Sequence, residues 1–296
     1  MFKNLSLAAL GISGQGNEAI ELALSSGFKS IDLNLEEFSQ QVQLHGMARG
    51  RRLLDSAKLT FGTFSLPSGW EGDETQFKLE TERLKPLLEL AQELGAKRAL
   101  LTMPPASDER PYHQNFEFHR RRFAELGALL APYQIRLGVG YLAGTKHREG
   151  TSFEFIHSLE ALQMLLGMTG SDHVGVLLDL WQLHISGGGI ENIRKLSARQ
   201  IVAVQVADAQ AESSAETSRE EERLLPGETG VIDVPATLTA LAEMGYDGPV
   251  TAVPHPSRFK NQRRDQIVKQ TGEALDRAWK DAGLLPAGKL SSTVNR

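Results

Sequence analysis

Eight short apolar runs, each followed by a loop and a helical pattern, set the rhythm of this chain. They fall at residues 5–12, 29–33, 59–64, 98–102, 135–141, 174–180, 201–207 and 250–253. Between them lie amphipathic stretches. Residues 74–94 place Leu84, Leu87, Leu88, Ala91 and Leu94 on one face, and Gly95 follows as a stop. A second stretch carries Glu160, Leu162, Leu165 and Leu166. A third spans 234–244, with Asp233 placed to cap it and Pro235 in the first turn, where a missing N–H costs little. Alternation of eight strands with helices predicts an α/β fold, a closed (β/α)8 TIM barrel. An open doubly wound sheet is the runner-up, but no G-x-G-x-x-G follows the first run.

A chain of 296 residues is ample for one such barrel, which takes ~250 residues. Residues 1–282 are expected to form a single barrel domain, and 283–296, small and polar, a flexible tail. The net charge of −5 leaves no basic surplus for a phosphate backbone, so nucleic acid is not expected as a partner. With no cysteine, disulfides, thiolate metal sites and Cys nucleophiles are excluded. No run approaches the ~18 apolar residues that span a bilayer, and no membrane partner is expected. The first apolar run passes at once into polar residues, as a strand and turn would and a signal peptide would not; the cytoplasm is the expected compartment. A homo-oligomer is compatible with all of this.

Residues 207–231, after the seventh run, form a long acidic connector rich in Ser and Glu. It reads as a solvated link or as a lid, since loops after barrel strands gather at the catalytic face.

Several motifs occur in a telling order: DLWQ at 179–182 with SGG at 186–188, VQVADA at 204–209, RLLPGETGVID at 223–233 and GYDGPV at 245–250. The opening helix at 17–26 with GFKSID at 27–32, and NFEFHRRRF at 115–123, fit the same pattern. From the first strand to about Phe259 the chain resembles the xylose isomerase-like TIM barrel family of sugar-phosphate isomerases and epimerases, also called AP-endonuclease family 2. The resemblance implies a divalent cation at the C-terminal rim, held by a Glu ending strand five, an Asp ending strand six, a His ending strand seven and a Glu ending strand eight. Such a cation polarises the sugar oxygens while the glutamates pass the proton. At those four positions this chain has Gly140, Asp179, Gln205 and Val253, and a further family His that contacts substrate is Gln182. One carboxylate cannot hold a hydrated dication tightly. No cofactor is therefore expected, nor a family-type Mn, Mg or Zn ion.

Asp179 and His255 are the candidate catalytic residues. Gln182, Gln205, Arg223 and Trp70 are the candidate ligand contacts. Asp179, His255 and Glu228 could form a rebuilt acid–base cluster; the alternative for this His, as for His113, His147 and His184, is an imidazole with an ordinary satisfied hydrogen bond. Asp179 could instead bond neighbouring strand-end groups. Arg223 resembles a family arginine near the substrate and suits phosphate or carboxylate, or pairs with Glu220, Glu221 and Glu222 at the surface. Trp70 could stack on a sugar face or pack beneath a loop, while Trp181 should turn into the core. The glycines at 187–189 could offer N–H groups to an anion, or simply form a turn.

Two readings of function follow: a divergent family member that binds a sugar-like or other small polar ligand at the rim without metal-dependent isomerisation, or an active isomerase, epimerase or related lyase acting on a sugar or keto acid with a rebuilt or metal-free site. The family's nuclease branch needs several metals and a basic groove, and this chain shows neither pattern.

Overall fold

The computed structural model describes residues 1–13, 17–32, 34–67 and 69–291. Eight parallel strands line the barrel: β1 (Phe2–Leu5), β2 (Ser30–Ile31), β3 in two pieces (Thr60–Phe61 and Phe64–Ser65), β4 (Arg98–Thr102), β5 (Arg136–Gly140), β6 (Val174–Asp179), β7 (Ile201–Val206) and β8 (Pro249–Ala252). Each pairs with its sequence neighbour, and β1 also pairs with β8. The first piece of β3 pairs with β2 and the second with β4, so the ring closes through one strand. Between the pieces, Gly62 is obligatory in shape, because a side chain there would overlap the Asn4 amide.

The helices α1 (Asn17–Ser25), α2 (Leu35–His45), α3 (Met47–Ala57), α4 (Glu74–Leu94), α5 (Tyr112–Leu130), α6 (Leu159–Gly167), α7 (Leu180–Ile185), α8 (Ile190–Arg194), α9 (Val234–Glu243) and α10 (Arg264–Asp281) form the outer layer. Local chemistry sets their ends. The Asp73 side chain accepts from the Gln76 N–H to open α4, and Gly95, at φ 75°, closes it in the left-handed conformation. Asp233 caps α9 through the Ala236 N–H. On α6, Leu159, Leu162 and Leu165 are fully buried, each contributing about 1.5–3 kcal/mol of apolar burial. Every residue of β6 is buried, as expected for a strand with the barrel interior on one face and helices on the other. Among the described residues no helix is long and apolar enough to cross a membrane.

One expectation is corrected. The first strand covers Phe2–Leu5, not residues 5–12; the rest of that apolar run is a short helical turn, Ala8–Leu10, closed by Gly11 at φ 67°. Leu10 and Ile12 are nonetheless buried, so the run marked burial rather than extended backbone. At the other end, residues 283–291 fold back as a turn, with the Ser291 N–H donating to the Gly283 oxygen at 3.1 Å and Leu284 bridged to Leu290. Residues 292–296 of the expected tail lie outside the described residues, as do Leu33 of the second apolar run and Ser68 beside Trp70.

Candidate functional site at the barrel mouth

β6 ends on Asp179, where the chain turns into α7. Asp179 Oδ1 accepts the N–H groups of Trp181 at 2.9 Å and Gln182 at 3.3 Å, capping that helix. Asp179 Oδ2 faces Arg223, whose guanidinium lies 2.8 Å away. Both residues are only 8% exposed. The guanidinium also lies over the Trp181 ring, 4.5 Å from its centroid. Its Nε donates to Glu220 Oε2 at 2.5 Å. Burial alone would lower the Arg223 pKa, but the charges of Asp179 and Glu220 and their hydrogen bonds outweigh it and hold the cation above its ordinary value.

Gln182 joins this cluster and is held at both ends. Its Oε1 accepts the Ala143 N–H at 2.8 Å and its Nε2 donates to Glu220 Oε1 at 2.7 Å. His147 Nε2 stands 3.7 Å from the same Glu220 oxygen. Glu220 arrives on a short turn, Glu220–Glu222, in the long connector. That connector is tied at its base by Asp208, which accepts the N–H groups of Ala209, Thr229, Gly230 and Ile232 at 2.7–3.0 Å. These bonds lower the Asp208 pKa despite the opposing effect of burial. Farther along, the Ala215 oxygen accepts the Thr145 N–H at 2.8 Å. The connector is therefore laid over the rim rather than looped into solvent.

Gln205 pairs in register with Asp179 on one side and Thr251 on the other, and is half-buried. Val253 is buried, its N–H given to the Val206 oxygen. At Gly140 a Cβ would meet Leu177 Cδ2 at 3.2 Å and Thr102 Oγ1 at 3.4 Å, so a glutamate there would have to push Leu177 aside. Asp179 has both oxygens engaged, and Gly140, Gln205 and Val253 bring no charge. This donor set does not fit a hydrated dication. Among the described residues, no three His, Asp or Glu side chains converge as metal ligands.

No hydrogen bond or ion pair joins Asp179, His255 and Glu228 among the described residues. His255 Nδ1 is engaged by Ser257, its hydroxyl at 2.8 Å and its N–H at 3.2 Å. Glu228 pairs with Arg258 and accepts the Leu225 N–H. The His255 backbone N–H donates to the Arg223 oxygen at 3.1 Å. Trp70 lies in the helix layer, 7% exposed, with its ring 5.7 Å from that of His119 and 5.5 Å from that of Phe123. It also lines a cavity with Leu66, Pro67 and Phe77. Trp181 is buried as expected, with the added contact to Arg223.

Sequence reasoning missed the opposite wall. β2 stands four strands from β6, across the barrel, and Asp32 follows it. Asp32 Oδ1 accepts Asn4 Nδ2 at 2.7 Å and, from Thr63, the N–H at 2.9 Å and the hydroxyl at 2.7 Å. Asn4 Nδ2 also donates to Thr251 Oγ1 at 2.9 Å. Burial of the carboxyl raises the Asp32 pKa against the pull of these donors. The mouth thus presents a charged pair on one wall and a hydrogen-bonded acid on the other.

The chain matches the xylose isomerase-like TIM barrel family over residues 20–278. It is 23% identical over 207 residues to an inosose isomerase of Bacillus velezensis, covering 69% of this chain and 70% of that protein. A xylose isomerase domain protein from Alicyclobacillus acidocaldarius superposes with a TM-score of 0.85 at 24% identity, over 95% of this chain and 99% of the other. The IolI protein with a bound zinc atom superposes with a TM-score of 0.77 at 15% identity, over 96% and 98%.

Proposed function

This chain belongs to the xylose isomerase-like TIM barrel family, and from that premise we propose that it binds a polyhydroxylated, sugar- or cyclitol-like molecule at the barrel mouth, without the family's divalent cation. One observation carries the reading: the Arg223 guanidinium is seated 2.8 Å from Asp179, where the resemblance would expect a metal ion. A guanidinium offers positive charge and several N–H donors in a fixed plane, which suits hydroxyl, carbonyl or acid oxygens. Asp179 positions that cation, Gln182 supplies a fixed amide, and Gln205 lies in register between the two walls. The similarity to an inosose isomerase supports a polyhydroxylated ring as ligand.

A second reading, metal-free isomerisation, is favoured by Asp32. Moving a proton between adjacent carbons needs a group that takes and returns it beside a group that steadies charge on oxygen. Asp32 and Arg223 face the mouth from opposite walls as candidates for those roles.

The test is thermal unfolding of EDTA-treated protein with inososes and ketohexoses. A ligand at 100 times its dissociation constant stabilises by about 2.7 kcal/mol, which in a chain of this length raises Tm by about 4 °C. The reading expects such a rise, unchanged by EDTA and lost in Arg223→Met. A stoichiometric bound dication on which the rise depends would overturn it. Turnover of a stabilising ketose by metal-free protein, abolished in Asp32→Asn, would select the second reading.

A further inference from the structure

The Glu220 carboxylate is gripped by Gln182 on α7 and by Arg223, three residues farther along the same connector, with His147 Nε2 3.7 Å away. Arg223 is fixed by Asp179 and by the Trp181 ring. The Gln182 amide is fixed by the Ala143 N–H on its oxygen, which leaves its NH2 aimed at Glu220. Each donor takes a different oxygen of the carboxylate, at 2.5 and 2.7 Å. Arg223 is anchored by Asp179 and the Trp181 ring although it shares the connector with the carboxylate, which among the described residues has no such anchor below it. The carboxylate hangs from a half-exposed turn of the connector and is itself 32% exposed.

Charge points the same way. Asp179 and Arg223 cancel each other, and Gln182 is neutral. Without Glu220 the cluster would be a set of rigid donors with no surplus negative charge, open to an anionic oxygen group. We propose that Glu220 occupies a built subsite for an acid group, and that the molecule taken at the barrel mouth carries such a group, a carboxylate or a phosphate ester, which displaces Glu220 as it binds. This deepens the proposed function, since it rests on a polyhydroxylated ligand at the mouth and adds its charge. A tethered carboxylate competes at an effective concentration of about millimolar or more, so the free acid must bring hydroxyl contacts elsewhere in the mouth to win.

The experiment measures binding of D-glucuronate, D-glucose 6-phosphate and D-glucose to wild type, Glu220→Ala and Gln182→Met by calorimetry in 0.15 M salt. Removing the tethered competitor should tighten binding of one of the two anions at least tenfold in Glu220→Ala, while the affinity for glucose changes less than twofold. Which anion gains decides between a carboxylate and a phosphate. Gln182→Met should weaken that same anion. In wild type, saturating anion should speed hydrogen exchange in residues 217–222 as the turn is released, while Arg223 and Leu224 stay protected, a readout that needs no variant to fold. Equal anion affinity in wild type and Glu220→Ala overturns the subsite. Binding of neutral sugar with no gain for either anion overturns it while leaving the barrel-mouth reading intact. Failure of all three probes together with every inosose and ketohexose overturns both.

Discussion

Replacing Arg223 with Ala removes the one cation that lies between Asp179 and Glu220. Glu220, on its half-exposed turn, can swing towards solvent. Asp179 cannot, because its Oδ1 caps α7 and its side chain is 10% exposed. A buried carboxylate stripped of its partner costs about 3–5 kcal/mol. For a chain of this length the unfolding entropy converts that into a Tm lower by about 5–8 °C. The double variant Asp179→Asn, Arg223→Ala should recover most of the loss, since a neutral amide needs no counter-charge.

The same variant makes a second, sharper demand. With the guanidinium gone, Asp179 and Glu220 border a gap from which a positive charge has been removed. Mn2+ should then stabilise Arg223→Ala, by about 2.7 kcal/mol at 100 times its dissociation constant, and should leave wild type and the double variant unmoved. The assay is thermal unfolding of the three proteins with and without the ion. An Arg223→Ala protein as stable as wild type would refute the view that the pair is a buried charge compensation. Equal Mn2+ effects on all three would refute the view that guanidinium and dication compete for one place.

Two further predictions concern pH. Burial depresses the His119 pKa to about 4, and the folded chain binds fewer protons there than the unfolded one between that value and about 6.5. The stability this contributes is full above about pH 6.5 and is lost as pH falls through 4, up to about 3 kcal/mol relative to a His119→Phe variant; parallel urea-unfolding curves of the two proteins from pH 7 to 4 would exclude it. Asp32 runs the other way, because burial raises its pKa in the fold. Its contribution is full below about pH 4, the ordinary aspartate range, and is lost as pH rises towards the folded value. Wild type should therefore lose stability relative to Asp32→Asn across that rise, and a pH-independent difference would contradict the desolvation argument.

The barrel was legible because its signal is repeated: seven of the eight apolar runs each hold a strand, the first run only touches one at Leu5, and Gly95 and Asp233 mark helix ends within a few positions. The site was legible only where its contacts are local. Glu220 lies three residues before Arg223, and a pairing between them could be read from spacing, though not that it would be buried. Asp32 could not be found, because its partners Asn4 and Thr63 lie 28 and 31 residues away and Asn4 reaches Thr251 over 247. The surroundings of Trp70 and His255 could not be read for a related reason. Their residue types suit sugar stacking and proton transfer, but side-chain direction is decided by neighbours such as Phe123 and Ser257.

The residues at the positions where the resemblance implies metal ligands make electrostatic sense together. Gly140, Gln205 and Val253 bring no charge beside Asp179, and a carboxylate left alone at that depth would be costly. The position can persist only if another positive group reaches it. Arg223 does so because Asp208 gathers the two ends of the connector and its bridge to Leu224 sets the neighbouring arginine against the rim. The binding of Asp208 to four backbone N–H groups and the seating of a cation on Asp179 are thus linked. Loosening the first should free the second, even though the two carboxylates share no contact.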